Sequence, residues 1–286
     1  TVIIGSGPAG LAAAIYASRA ALNYVVLEKA GYSGGQIVTT NDLDNYPGMP
    51  NIDGASFSMA LQEHAEKLGA EIKEATVTAI KQNEDNSYTV EIEGQEPPIL
   101  TKSVVLATGA NPRTLNVPGE QQYLSRGVYY CATCDGAFYR NKTTAVIGGG
   151  NTALEDVLFL AKICEKVYLI HRRDELRGDK HSQEKIFAMP NVEFVKSALP
   201  KSIKGDKKVS AIEIEYKKTG EIVDIPVDGI FVAVGMIPNN QLVPDFVNTD
   251  DAGYVIADET GKTNAKGFFV AGDLRTKDLR QVLTAA

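Results

Sequence analysis

Short apolar runs and one-sided helical patterns take turns along this chain. Thr1-Val2-Ile3-Ile4 is an apolar run of strand length, and the alanine-rich stretch from Pro8 to about Arg19 predicts a helix. Tyr24-Val25-Val26-Leu27 predicts a second strand, ending at Glu28. The same order returns later: Thr144-Ala145-Val146-Ile147 as a strand, Thr152 to about Lys162 as a helix, and Val167-Tyr168-Leu169-Ile170 as a strand ending at His171-Arg172-Arg173. The distance from the first glycine to the end of the second strand is about the same in both copies. The chain therefore repeats a whole strand–helix–strand unit, not a short solenoid module.

Two further buried-strand runs, Val104-Val105-Leu106-Ala107-Thr108-Gly109 and Ile230-Phe231-Val232-Ala233-Val234-Gly235, each end in glycine. They lie about equally far behind the two units, and Pro112 and Pro238 follow them as marks of a crossing between domains. One domain is expected from residues 1–112 and 241–286, with a second, residues 113–240, inserted into it. The segments around 81–98 and 201–226 carry turn residues and alternating apolar positions, and predict a small antiparallel sheet on each domain. A chain of 286 residues is long enough for two separate cores.

A glycine-rich loop stands between strand and helix in each unit. Gly5, Gly7 and Gly10, with Pro8 and Ala9, form a G-x-G-x-x-G loop, and Glu28 ends the next strand near the expected spacing of about 20 residues. Such a loop lets the backbone approach a pyrophosphate, whose charge rests on the free N–H groups of the helix start. A carboxylate at Glu28 accepts from ribose hydroxyls and repels a 2′-phosphate, so the first site favours FAD or NAD. In the second copy Gly148, Gly150 and Ala153, with Asn151 and Thr152, fit the G-x-G-x-x-A variant. There the following strand ends in His171-Arg172-Arg173, with Arg177 nearby, and guanidinium groups bind phosphate. The second site reads as NADP(H). The fold class expected is α/β, with two Rossmann-like nucleotide-binding domains of three ββα layers, the second inserted into the first.

Composition is that of an ordinary globular protein, and the net charge of −7 argues against nucleic acid or an anionic membrane as main partner. No apolar run approaches the roughly 18–20 residues that span a bilayer. Three cysteines are too few for a secreted disulfide framework. Cys164 sits in an apolar helical stretch and reads as a small buried hydrophobe. Cys131-Ala132-Thr133-Cys134 reads as a redox pair, since a structural zinc site wants four Cys or His ligands and His64, His171 and His181 lack ligand spacing. Metal binding is not expected. Asp135, directly behind the pair, fits a general acid first, and a helix cap is a second role compatible with it.

These segments together resemble the low-molecular-weight, bacterial-type thioredoxin reductases over nearly the whole chain. The resemblance rests on the two fingerprints, Ser33-Gly34-Gly35-Gln36, Asp44-Asn45-Tyr46-Pro47-Gly48, Ala107-Thr108-Gly109, Cys131 to Asp135, His171-Arg172-Arg173-Asp174, Ala271-Gly272-Asp273 and Arg280-Gln281. It implies FAD held by the first loop, Glu28, Gly34, Gly35, Gln36, Asn45, Ala107, Thr108, Gly109, Gly272, Asp273, Arg280 and Gln281. It implies NADPH held by the second loop, Glu155, His171, Arg172, Arg173 and Arg177. Cys134 would face the flavin, Cys131 attack the protein substrate, and Asp135 serve as acid. Thioredoxin or a thioredoxin-like protein would be the partner of a cytoplasmic homodimer, whose inserted domain rotates about hinges at 110–116 and 235–240. Asp44 and Leu176 depart mildly from the family pattern, which more often has Glu and an aromatic residue there. The start inside a strand and the end at Ala286, short of the family's closing helix, are expected to reflect a trimmed chain. A flavin-dependent dithiol oxidase, a ferredoxin-linked reductase and a non-catalytic flavin-binding redox sensor are the rival readings.

Overall fold

The computed structural model describes residues 1–40, 43 and 46–286. The chain divides into two compact units, Thr1–Asn111 with Ile237–Ala286, and Pro112–Met236. The sequence placed these crossings at 112/113 and 240/241. The short strands Ala110–Pro112 and Met236–Pro238, which carry the chain between units, pair as a two-stranded ladder.

In the first unit five parallel strands lie in the order Phe268–Val270, Val104–Leu106, Val2–Ile4, Val25–Glu28, Ile72–Glu74. Side chains alternate across a strand, so both faces of this sheet must be covered. Val2 and Ile4 face an apolar layer with Leu106, Tyr88 and Val90, the latter two from the antiparallel sheet Val77–Gln82, Tyr88–Ile92 and Gln95–Thr101. Ile3 faces the other way, onto Leu11, Ala14 and Ile15 of the helix Pro8–Arg19 and Ala65 of the helix Gly54–Lys67. Each strand is therefore apolar on both sides, which is why it reads as an unbroken run.

The second unit repeats this plan. Its parallel order is Val192–Val195, Lys166–Ile170, Thr143–Gly148, Gly229–Ala233, Val128–Tyr129. Ala145 and Ile147 face Ile203, Ile212 and Ile214 of the antiparallel sheet Ala198–Gly205, Val209–Tyr216 and Ile222–Pro226. Val146 faces Leu154, Val157 and Leu160 of the helix Asn151–Leu160. Both units are thus three-layer, two-sheet-and-helix folds of Rossmann type. The match differs at one edge. In the first sheet the edge strand Phe268–Val270 comes last in the chain, whereas in the second its counterpart Val128–Tyr129 comes before the strand Thr143–Gly148. Among the described residues no helix is long and apolar enough to cross a membrane.

Candidate active site

Carboxyl ends of parallel strands are where α/β sheets bind ligands, and each sheet gathers its candidate residues there. In the first unit the loop Gly5–Gly10 follows the central strand. Gly10 has no room for a side chain, because a Cβ there would run into the carbonyl of Gly5. The loop is tied to the next strand by Glu28. Its Oε2 accepts the Ser6 amide at 2.7 Å and the Ser6 hydroxyl at 2.9 Å, while Oε1 accepts the Ala30 amide at 3.0 Å. Glu28 therefore holds the loop itself, a role its position in sequence does not announce. The Gly34 amide donates to the Ser6 carbonyl at 2.9 Å, so Gly34, Gly35 and Gln36 sit against the same loop. Gln36 Nε2 donates to the Ala110 carbonyl.

Ala107, Thr108 and Gly109 leave the neighbouring strand. Thr108 is fixed by Asn239, whose side-chain amide donates to the Thr108 carbonyl at 2.8 Å while the Thr108 hydroxyl donates to the Asn239 carbonyl at 2.7 Å. Gly272 and Asp273 follow the edge strand Phe268–Val270 in a short 3-10 turn. Asp273 pairs with Lys277 at 2.8 Å, and Arg280 stacks over the Tyr254 ring at 4.0 Å. Gln281 caps the short helix Val282–Ala285. Asn45 lies outside the described residues.

In the second unit Gly148, Gly150, Asn151, Thr152, Ala153 and Glu155 form the loop and first turns of the helix Asn151–Leu160. The amides of Arg177 and Gly178 donate to the Gly149 carbonyl at 2.6 and 3.1 Å, which brings Arg177 beside the loop. His171 is buried under Gly149. Burial first, then the charges of Arg177, Arg172 and Arg173, hold its imidazole below the usual histidine range. Among the described residues these three guanidinium groups form no ion pair, and all three are exposed. They are free for an outside anion.

Helix starts show what the loops can hold. The helices Gly54–Lys67 and Lys180–Phe187 are capped by Asp53 and Asp179, whose carboxylates accept the Ser56 and Ser182 amides. The helices Pro8–Arg19 and Asn151–Leu160, which begin at the glycine loops, have no side-chain cap. Their first N–H groups are left for an external acceptor such as a pyrophosphate. A Cβ at Gly150 would meet nothing within 4 Å, so that side of the loop is open to a ligand. Among the described residues, Ser58 Oγ next to Gly34 and His171 Nε2 are buried polar atoms without a partner beside the loops. Both loops therefore fit a dinucleotide. Gly10→Ala is expected to lower unfolding stability by about 1–3 kcal/mol through overpacking. Gly150→Ala is expected to leave it within about 0.5 kcal/mol while weakening nucleotide binding. Urea unfolding and nucleotide titration of the two variants check this pair of outcomes.

The edge strand Val128–Tyr129 delivers the chain to Cys131. Tyr129 is anchored by Phe231 and Tyr139, with ring centroids 5.7 Å apart in each pair. Cys131 and Cys134 are joined in a disulfide across the one-turn helix Ala132–Asp135. Cys131 occupies the cap position, and its Sγ accepts the Cys134 amide at 3.2 Å. The turn rests on the helix Asn151–Leu160: a Cβ at Gly136 would strike Phe159 and Leu160. Of the two roles open for Asp135, the cap is not formed, since the following 3-10 turn Gly136–Tyr139 has no side-chain cap bond. Its carboxylate is buried and pushes the Tyr129 and Tyr139 phenols further up, after burial has raised both. Cys164 is buried and unbonded to another sulfur.

Sequence reasoning missed Ser6, Asn239, Lys277 and Ser58. The first three act through contacts set by the fold. Ser58 carries the one local signal, a polar residue on the core side of its helix beside Phe57.

Known proteins resemble this chain along its whole length. The family model for pyridine nucleotide-disulphide oxidoreductases matches residues 1–286. A thioredoxin reductase of Peptoclostridium acidaminophilum is 43% identical over 290 residues, covering 99% of this chain and 91% of that protein. One of Listeria monocytogenes is 39% identical over 285 residues, covering 99% and 88%. The crystal structure of the thioredoxin reductase from Streptococcus pyogenes superimposes with a TM-score of 0.90 at 42% identity, over 99% of this chain and 92% of that one. With its two glycine loops, its disulfide and relatives of this likeness along its whole length, the chain belongs to the pyridine nucleotide-disulphide oxidoreductase family, among the thioredoxin reductases.

Proposed function

We propose that the chain is an NADPH-dependent, FAD-containing reductase of thioredoxin or a thioredoxin-like protein. The family uses a flavin and a pyridine nucleotide; the assignment to FAD and NADPH rests on the two ribose ends. The observation that carries the reading is the seat of the Cys131–Cys134 disulfide on the very helix whose glycine-loop start is uncapped. In this reading Glu28 accepts from ribose hydroxyls, and Arg172, Arg173 and Arg177, which are exposed, hold a 2′-phosphate. When bound, the cofactors supply the hydride and the two-electron relay that reduce the disulfide.

This chain's own groups do the rest. Cys131, at a helix start and on the Cys134 amide, is placed where a thiolate is stabilised. It attacks the partner's disulfide to give a mixed disulfide, which Cys134 resolves. Asp135, buried directly behind the pair, supplies the proton. The names of the relatives support thioredoxin as substrate, and the family resemblance supports a homodimer working in the cytoplasm. An anaerobic titration with NADPH should bleach the flavin absorbance, and NADPH oxidation should follow added thioredoxin. Bleaching without turnover on any thioredoxin-fold protein would overturn the substrate assignment, and absence of bleaching would favour a dithiol oxidase.

A further inference from the structure

The residue just before Cys131 is held by a buried acid. Glu120 is only 2% exposed. Its Oε1 accepts the Leu115 amide at 2.8 Å and the Tyr130 hydroxyl at 2.9 Å, and its Oε2 accepts the Asn116 amide at 2.8 Å. Leu115 and Asn116 follow the crossing strand Ala110–Pro112. Asn116 is left-handed, with φ 58°, and two successive amides turned to one side in this way make a seat for an anion. The two amide bonds are local, reaching five and four residues back along the chain. The Tyr130 bond is not: it runs ten residues forward, to the neighbour of the redox pair.

We propose that Glu120 is a positioning residue for the Cys131–Cys134 pair, acting through Tyr130 to hold Cys131 in place when the disulfide is open. This rests on the reading of that pair as the redox centre. Side chains alternate along an extended chain, so Tyr129 and Tyr130 leave the strand end on opposite faces. Tyr129 packs in the helix-side layer with Phe231 and Tyr139, and Tyr130 packs against the layer of the antiparallel sheet. The chain before Cys131 is thus gripped on both faces, by ring contacts on one and by a hydrogen bond to a carboxylate on the other. Hydrogen bonds to a charged group are the stronger kind. Burial foremost, then the bond to Glu120 and its charge, hold the Tyr130 phenol above the usual tyrosine range, so it remains the donor at every pH where the pair works.

The grip matters in one state more than in the other. In the oxidised pair the sulfur–sulfur bond itself ties Cys131 to Cys134. In the reduced pair only the fold keeps the two sulfurs within reach of each other. A held Cys131 loses less freedom on closing, so the pair behaves as at a higher effective concentration and closes more readily. The one-turn helix Ala132–Asp135 gives little of this hold by itself, since a single turn fixes several backbone angles for few hydrogen bonds. Cys131 is the cap of that turn, so an anchor one residue earlier sets where the turn begins.

The test uses the whole chain equilibrated with dithiothreitol, so it needs neither nucleotide nor protein partner. In the exchange the protein disulfide gains two electrons and two protons from the two thiols of dithiothreitol, which closes to a cyclic disulfide. Tyr130→Phe removes the long bond and leaves both amide bonds of Glu120. It should shift the equilibrium towards the reduced pair by about three- to tenfold. Glu120→Gln should shift it the same way, and the double variant no further than Glu120→Gln alone, because both changes break one bond. Ile186→Val, in the core of the same unit on the helix Lys180–Phe187, should lower the urea midpoint and leave the exchange constant where it is. An unmoved exchange constant in Tyr130→Phe, an equal shift in Ile186→Val, or additive shifts in the double variant would overturn the proposal. Any of these would leave the reductase reading intact, whereas failure of the NADPH assay would leave this test unaffected.

Discussion

Cys131→Ser and Cys134→Ser are each expected to lower NADPH-driven disulfide reduction by at least about 10³-fold, the scale on which removal of a covalent nucleophile acts. Flavin content and the bleaching of the flavin by NADPH should stay as in the wild type, because neither cysteine belongs to a glycine loop. The two variants should differ from each other. In Cys134→Ser the remaining Cys131 keeps its place at the helix start, where a backbone N–H lowers the cost of the thiolate. It should attack an oxidised thioredoxin and stop there, so a mixed disulfide accumulates and appears in the mass spectrum at the summed mass. In Cys131→Ser the remaining Cys134 lacks that cap position, and the trapped adduct should be scarce. Turnover retained by either variant would show that the disulfide is not on the electron path. Adducts formed equally by both would show that the cap geometry does not select the attacking sulfur.

The repeat of strand, glycine loop, helix and strand was legible because each element is short, apolar on both faces and punctuated by glycine or an acid. The antiparallel layers were legible as alternating runs between turns. The edge strand Val128–Tyr129 was not, for it has two residues and its place is set by pairing with Ile230 and Phe231, about a hundred residues away. That strand changes how the site is understood. In the first sheet the edge strand leads to the 3-10 turn Gly272–Leu274; in the second the equivalent strand leads to the C-x-x-C turn. The redox pair thus occupies, in its own unit, the place that Asp273 holds in the other. Cysteine spacing announced the pair but not this equivalence. Glu28 shows a similar gap: its position after the strand was read as a contact for ribose, while its bonds to Ser6 and Ala30 show it also building the loop.

Arg172→Ala, Arg173→Ala and Arg177→Ala should each lower kcat/KM for NADPH by about 10- to 100-fold and leave that for NADH nearly unchanged. A hydrogen bond to a charged group contributes about 1.5–3 kcal/mol, and each 1.4 kcal/mol is a factor of about ten. The 2′-phosphate is the one group that separates the two nucleotides, so a residue that binds it changes one rate and spares the other. The loss should fall mainly on KM, since the phosphate lies far from the transferred hydride and binds ground and transition states alike. Added salt should narrow the gap between wild type and variant, because these exposed guanidinium groups act through a screened field. His171 sharpens the test. Burial and the arginine charges keep its ring neutral near pH 7, and removing an arginine should let its pKa rise, so the variants should gain a pH dependence of NADPH binding that the wild type lacks in that range. An equal loss with NADH and NADPH would instead mean that the three side chains support the shape of the loop and do not bind the phosphate. No loss with either nucleotide would remove the strongest ground for NADPH as the electron donor.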